Sequence, residues 1–348
     1  MKKKLISGLL CAIMAVGMLT GCGNSSTSGS SAANSGSSAS GTAADDVLTL
    51  KLAHADTEES IFHSAVLDFK EEVEKRSDGK IQIQIYPAGQ LGTVREYVEG
   101  IQTGTIDIAP VVSTVIANFC PDVAVYDLPF LLDDYDHAYR SLDGEVGNKL
   151  SEELTQNGIM PLAWWSIGFR NVTTSKNKPI NSIEDFKGFR IRTMASEIHQ
   201  AIFSELGADP VPMDWGELFT ALQQGTVDGQ ENPFSQILSS NIYEVNPVIV
   251  KTEHAFTPAV LMMSPITYGK LTEEQQKIIT EAAEASKDAC RQEAVKYNEE
   301  ALKTLMEEKG CEYIETLNKD ELREATKAVY DKFPQYAELV EQIEACKK

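Results

Sequence analysis

Between Thr272 and about Glu308 the chain contains no proline or glycine. The segment opens on Thr272-Glu273-Glu274-Gln275, a capping box in which threonine and glutamine satisfy two backbone donors of a helix start. A helix of that length is unusual in a globular protein unless it bridges something. What it bridges has to be found in the rest of the chain.

Residues 48–53 alternate around Leu50 and Leu52, and Phe62, Val66, Phe69 and Val73 then recur at helical spacing up to Asp78-Gly79. Residues 81–85 alternate cleanly and stop before Pro87. A helix over 93–102 and a buried strand over 105–112 complete an α/β unit with a parallel sheet. Residues 121–129 read as a proline-punctuated loop, followed by one helix over about 136–156. The apolar strand 160–167, carrying Trp164 and Trp165, runs into Gly168-Phe169-Arg170 and starts a second series. That series has a helix start at Ser182-Ile183-Glu184-Asp185, a helix over 197–206, and a capping box at Asp214-Trp215-Gly216-Glu217 that puts Leu218, Ala221 and Leu222 on one face. Strands follow at 248–250 and 260–263, and a last helix from about Lys319 holds Leu322, Val329 and Tyr330 before a break at Pro334. Two α/β series in succession predict two lobes, and about 300 residues suffice for two cores.

The N-terminus reads as an address. Met1-Lys2-Lys3-Lys4 precedes a short apolar run and then Leu19-Thr20-Gly21-Cys22, the layout of a secretory signal. This ending resembles the bacterial lipobox, which implies a leader of residues 1–21 and a diacylglyceryl group on the Cys22 thiol. Residues 22–45 are nearly all Ser, Gly, Ala, Thr and Asn, a composition that buries too little to order itself and predicts a flexible tether. The body is thus expected outside the cytoplasm, anchored to the cell membrane by lipid. No later apolar run is long enough to span a bilayer.

The formal charge is −21, and the three N-terminal lysines leave with the leader. Such a balance argues against nucleic acid or an anionic membrane surface as partner. It leaves room for a small anion, because screening over roughly 8 Å makes a buried guanidinium a local matter. Of six cysteines, Cys11 lies in the leader and Cys22 is the anchor; Cys120, Cys290, Cys311 and Cys346 form no Cys-x-x-Cys pair. No metal site, cofactor motif or catalytic signature is expected: the Gly-x-Ser-x-Gly elbow, His-Glu-x-x-His, Gly-x-Gly-x-x-Gly and the phosphate-binding loop are all absent.

Lys187-Gly188-Phe189-Arg190-Ile191-Arg192 is the most informative short stretch. As a strand it sends Phe189 and Ile191 to the core and puts Arg190 and Arg192 together on the other face. Parity alone leaves that face either a solvated edge or a socket for an anion.

Around this stretch the chain resembles the solute-binding subunit of tripartite ATP-independent periplasmic (TRAP) transporters, the DctP-like family. The carrying residues are Gly168-Phe169-Arg170, Thr173-Thr174, Pro179-Ile180, Asp185, Lys187-Gly188, Arg190-Ile191-Arg192, Gly207-Ala208, Pro210, Pro212, Ala221-Leu222-Gln223, Gly225 and Val227-Asp228-Gly229-Gln230-Glu231-Asn232-Pro233. The resemblance implies a two-lobed α/β fold of the periplasmic-binding-protein kind, with crossing strands and one helix, about 272–308, spanning both lobes. Lobe I would comprise residues 46–167 and 258–297, and lobe II residues 168–257 and 298–348. The implied function is an extracytoplasmic receptor that closes on a small organic acid, either a C4-dicarboxylate or a sugar acid, and delivers it to a TRAP membrane permease. A sugar acid is preferred. The family arginine that pairs with the ligand carboxylate falls on Arg192, a second helping arginine on Arg170, and the cleft asparagine on Asn232. Trp215 lies where an aromatic often meets the ligand. His54, Asp56, Arg95, Trp164, Trp165 and His254 reach the cleft by position but are read as packing or rim, and Glu231 as orienting backbone. The alternatives are the receptor of an ABC importer and a membrane-tethered enzyme acting on a carboxylated substrate.

Overall fold

A computed structural model describes residues 47–347, so the expected leader, the Cys22 anchor and the tether up to residue 45 lie outside the described part. Eleven strands form two mixed sheets among the described residues. The first contains β1 (Leu48–Ala53), β2 (Ile81–Tyr86), β3 (Ile108–Val112), β4 (Met160–Phe169) and β10 (Phe256–Met263), in the order β2-β1-β3-β10-β4. The second contains β5 (Asn171–Thr174), β6 (Arg190–Thr193), β7 (Asp209–Pro212), β8 (Gly229–Asn232), β9 (Val248–Val250) and β11 (Glu312–Ile314), in the order β11-β9-β5-β8-β6-β7.

β1 pairs in parallel with β2 and β3, as the opening α/β pattern predicts. Beyond that opening unit, β10 joins the same sheet antiparallel, between β3 and β4. Such a strand has to arrive from elsewhere, and here it comes from the second sheet.

The chain passes between sheets twice at one place. β4 ends at Phe169 and β5 begins at Asn171, so a single residue, Arg170, makes the outward crossing. The return runs from β9 through residues 251–255 into β10. At the crossing the Arg170 backbone N–H donates to the Ala255 carbonyl at 2.9 Å, and Phe169 and Phe256 pair in register. Their rings meet Tyr135 edge-on, which fills the space beneath the crossing with aromatic contact.

The predicted long helix is present as Glu273–Glu307, 35 residues or about 50 Å at its usual rise, and Thr272 and Gln275 form the capping box. It contributes to two cores. Ile279, Ala282, Ala283, Cys290 and Ala294 pack with the Ile61–Arg76 helix and the first sheet, whereas Leu305 packs with Leu218, Ile237 and Ile249 of the second. Asn298 ties the two together midway: its amide donates to the Ile167 carbonyl at 2.9 Å and its oxygen accepts the Ser235 N–H at 3.0 Å. Arg291 adds a bidentate pair with Asp143 at 2.6 and 3.0 Å and a bond to the Trp164 carbonyl at 3.0 Å.

Other local expectations need correction. The helix expected over 136–156 is two, Tyr135–Asp143 and Glu145–Gln156, broken where Gly144 is extended. The Ser182 box opens only a 3-10 turn, Ile183–Phe186, because Gly188 follows at φ +70°. Within the expected loop 121–129 lies a 3-10 helix, Pro121–Asp127. Strand β3 starts at Ile108 rather than residue 105, and the last helix breaks at Pro334 as expected but is also interrupted earlier, at Lys327. The Trp215–Gln223 helix forms, but without a cap bond from the Asp214 side chain. Cys120, Cys290, Cys311 and Cys346 are all free.

The join between β6 and β8 holds the second sheet at its centre. Gly229 pairs with Thr174 and Ile191, and a Cβ placed on it would stand 2.3 Å from the Thr173 carbonyl oxygen and 2.6 Å from the Phe189 ring. One residue before it, Asp228 accepts from the Arg190 backbone N–H at 3.0 Å, from Nε at 3.1 Å and from Nη2 at 2.5 Å, and from Lys178 Nζ at 2.7 Å. Burial would raise the Asp228 pKa, but Arg190 and Lys178 outweigh it and bring it down to about 2. Two outcomes follow from this join. Gly229→Ala overpacks it, costing about 1 to 3 kcal/mol in denaturant unfolding. Asp228→Asn costs about 1 to 2 kcal/mol at pH 7. Because the folded pKa lies below the unfolded one, that penalty is full above about pH 4 and fades as pH falls toward 2, which urea titrations across pH will measure.

Candidate functional site

Strand parity places Arg190 and Arg192 on one face of β6, but their surroundings separate them. Arg190 is half-exposed and spent on Asp228 and the Thr226 carbonyl. Arg192 is 2 % exposed, and among the described residues its side chain bonds to the Met213 carbonyl alone, from Nε and Nη2 at 3.1 and 2.8 Å. Among the described residues no carboxylate pairs with it. The Trp215 ring lies 5.8 Å from its Cζ, so the indole helps hold the guanidinium plane. Burial lowers the Arg192 pKa to about 10, with Glu231 pulling it up and Arg170 pushing it down; the group stays charged at neutral pH.

Arg192 lines a cavity of about 550 Å³ that also takes in Arg170, Asn232 and Trp215, so all four site residues expected from the sequence meet there. Strands β5, β6 and β8 and their flanks supply the polar wall. The facing wall comes from the first sheet and its connections: Pro110 and Val112 of β3, Phe62, and the loop that follows β1.

Arg170 is nearly saturated. Its Nε and Nη2 grip both oxygens of Glu231, Nη2 also reaches the Glu231 carbonyl at 2.6 Å and Asn232 Oδ1 at 2.9 Å, and Nη1 donates to Thr257 at 3.1 Å. Asn232 in turn donates to Gln230 Oε1 at 2.5 Å, which leaves one amide N–H for the cavity. The expectation that Glu231 orients backbone is therefore corrected. It is fully buried and serves as counter-ion to Arg170, with His254 at 3.2 Å and His199 at 3.5 Å on its other sides. Burial would raise the Glu231 pKa, but Arg170 and the two imidazoles hold it well below the usual carboxylate range. His199 sits between Glu231 and Asp127, which lies 3.6 Å away; burial opposes its charge, but the carboxylates prevail and raise its pKa to about 9. Thr114 and Ser196 donate to Asp127 at 2.7 and 2.9 Å. Two cations, Arg170 and His199, thus face two carboxylates, Glu231 and Asp127, and Arg192 stands outside that balance.

The other residues placed near the cleft by position divide. Asp56 and Arg95 line the cavity. His54 instead meets His63 at 3.0 Å, Trp164 donates to Ser151 at 2.9 Å, Trp165 is core against Phe62, and His254 stays behind Glu231. Sequence reasoning missed Gln236, Asp127 and His199. The last two had a signal: each is a lone polar residue on an otherwise apolar face, Asp127 after Val123 and Val125, His199 between Ile198 and Ile202. A buried polar residue requires a partner. Among the described residues no group of histidine, cysteine, aspartate or glutamate suits a metal ion, and no helix is long and apolar enough to cross a membrane.

Comparison with known proteins agrees with this architecture. The chain is 32% identical over 288 residues to the 2,3-diketo-L-gulonate-binding periplasmic protein YiaO of Escherichia coli, covering 81% of this chain and 87% of that one. A TRAP periplasmic solute-binding protein from a Polaromonas species, solved with D-erythronate, superimposes with a TM-score of 0.83 at 35% identity, over 86% of this chain and 99% of the other. The sugar acid binding protein DctPAm from Advenella mimigardefordensis, solved with galactonate, gives a TM-score of 0.83 at 33% identity, over 86% and 97%. Residues 52–336 match the family described as bacterial extracellular solute-binding protein, family 7, or DctP, and the chain belongs to that family.

Proposed function

We propose that this chain is the extracytoplasmic receptor of a TRAP transporter, that it captures a small hydroxylated organic acid of the sugar-acid type, and that it hands the acid to the membrane permease. The observation that carries the reading is Arg192: a buried, charged guanidinium with no carboxylate partner among the described residues, lining a cavity large enough for such a ligand. A planar fork of donors matches both oxygens of a carboxylate. Arg170 and Asn232 flank it, Arg170 through one remaining Nη1 N–H and Asn232 through its free amide N–H, and Trp215 backs the pair. The ligand is held between lobe I, residues 46–167 and 258–297, and lobe II, residues 168–257 and 298–348, and closure removes it from water. Cys22 carries the lipid that keeps the receptor at the membrane, as the Leu19-Thr20-Gly21-Cys22 ending supports.

The choice of a sugar acid over a dicarboxylate rests on the relatives named above, whose ligands are erythronate, galactonate and diketogulonate. Titration calorimetry with a panel of aldonates, uronates and dicarboxylates tests the assignment. Arg192→Ala removes one partner of a desolvated charge pair and is expected to weaken the best ligand by about 30-fold or more. Arg192→Lys keeps the charge but not the fork, and falls between. Unchanged affinity in Arg192→Ala refutes the carboxylate assignment.

A further inference from the structure

Rejection of the wrong acid requires something besides Arg192, and the wall facing it holds a candidate. Asp56, on the loop after β1, is 8 % exposed; of the carboxylates lining the cavity, Glu96, Asp214 and Glu217 are exposed, and Asp56 alone is buried. Its backbone carbonyl accepts from Ala88 at 3.0 Å, which fixes the loop. Its side chain accepts from Gln236 Nε2, on the helix that follows β8. Beside them Thr57 donates to the Ser239 carbonyl at 3.3 Å, so the two sides of the cavity touch at this point.

Gln236 is neutral, and among the described residues no cation pairs with Asp56. Among the described residues the other cations lining the cavity are Arg170, buried against Glu231, and Arg95, an exposed rim residue that pairs with Glu99 at 3.0 Å beside the Phe119 ring at 5.1 Å. The cavity therefore has one unpaired buried cation on one wall and one unpaired buried carboxylate on the other. A ligand that satisfies both presents a single carboxylate to Arg192 and a hydrogen-bond donor to Asp56. A second carboxylate reaching the Asp56 wall would find no buried cation there and would meet a like charge in a poorly solvated site.

Resting on the carboxylate reading of Arg192, we infer that Asp56 sets ligand class, accepting a hydroxyl from a monocarboxylic hydroxy acid and turning away dicarboxylates. Gln236 is a positioning residue, holding one oxygen of Asp56 so that the other meets the ligand. A site built to bond a hydroxyl discriminates strongly against ligands that lack it, because its own polar group is then left unpaired.

The test is calorimetry on the mature receptor at pH 7.5, using succinate and the tightest binder among erythronate, gulonate and galactonate. Wild type is expected to prefer the aldonate by about 100-fold or more. Asp56→Asn, isosteric and uncharged, should cut that preference by at least about tenfold, weakening the aldonate and strengthening succinate. Asp56→Ser, which removes the charge with a different shape, should move the ratio in the same direction, and matched thermal melts guard against a folding artefact. A ratio unchanged in both variants, or a wild type that prefers succinate, overturns the inference. So does tighter binding of 4-aminobutyrate than of any aldonate, since Asp56 would then be reading an ammonium. If Arg192→Ala leaves every acid's affinity unchanged, the failure lies in the carboxylate reading itself.

Discussion

The buried pair between Arg170 and Glu231 is what the rest of the structure depends on. Arg170 is the single residue between β4 of the first sheet and β5 of the second, and its backbone bonds to Ala255 on the return path. A guanidinium at such a point has no solvent to retreat to, and an unpaired charge there would be prohibitively costly. Glu231 on β8 meets it with both oxygens, and β8 is thereby fixed against the crossing. The Arg170–Asn232 bond places the cleft asparagine, and Thr257 on β10 extends the tie into the first sheet. The same bonds thus set the junction between the sheets and the geometry of one wall of the cavity.

Charge balance then explains why one arginine of the site differs from the others. Arg190 is neutralised at the edge by Asp228, and Arg170 in the interior by Glu231, with His199 and Asp127 completing a second pair behind it. Arg192 is held by the Met213 carbonyl and lies over the Trp215 ring, and among the described residues no carboxylate bonds to it. A buried cation without a bonded carboxylate is costly to the fold. Asp56 across the cavity carries the opposite imbalance: burial raises its pKa to about 6, with the Gln236 bond pulling it down. In the proposed function, affinity and selectivity both draw on charges that the fold leaves without a bonded counter-ion.

Much of this was legible in the sequence for identifiable reasons. The 35-residue helix was visible because its capping box is local and nothing inside it breaks a helix. The alternation of β1 and β2, and the parity of Phe189 and Ile191, follow from strand geometry that needs no tertiary information. Gly144 shows where such reading falls short: the flanking segments are each helical by pattern, and only the packing of their backbones shows that the chain turns there. The antiparallel insertion of β10 was likewise invisible, because pairing partners are not written in a strand's own residues.

For the site, the sequence determined which residue types and short-range faces were on offer: two arginines on one side of a strand, an asparagine before a proline, a tryptophan at a helix start. Strand parity could not say which arginine remains free, and only the family resemblance pointed to Arg192, because the answer depends on counter-ions brought from elsewhere in the chain, Asp228 to Arg190 and Glu231 to Arg170. Nor could it assign Glu231 to a buried ion pair, or set Asp56 and Gln236, far apart in the chain, against each other. Periodicity and capping act over a few residues and are local properties of the chain. Charge pairing acts through space, and only the tertiary structure decides which charges are left for a ligand.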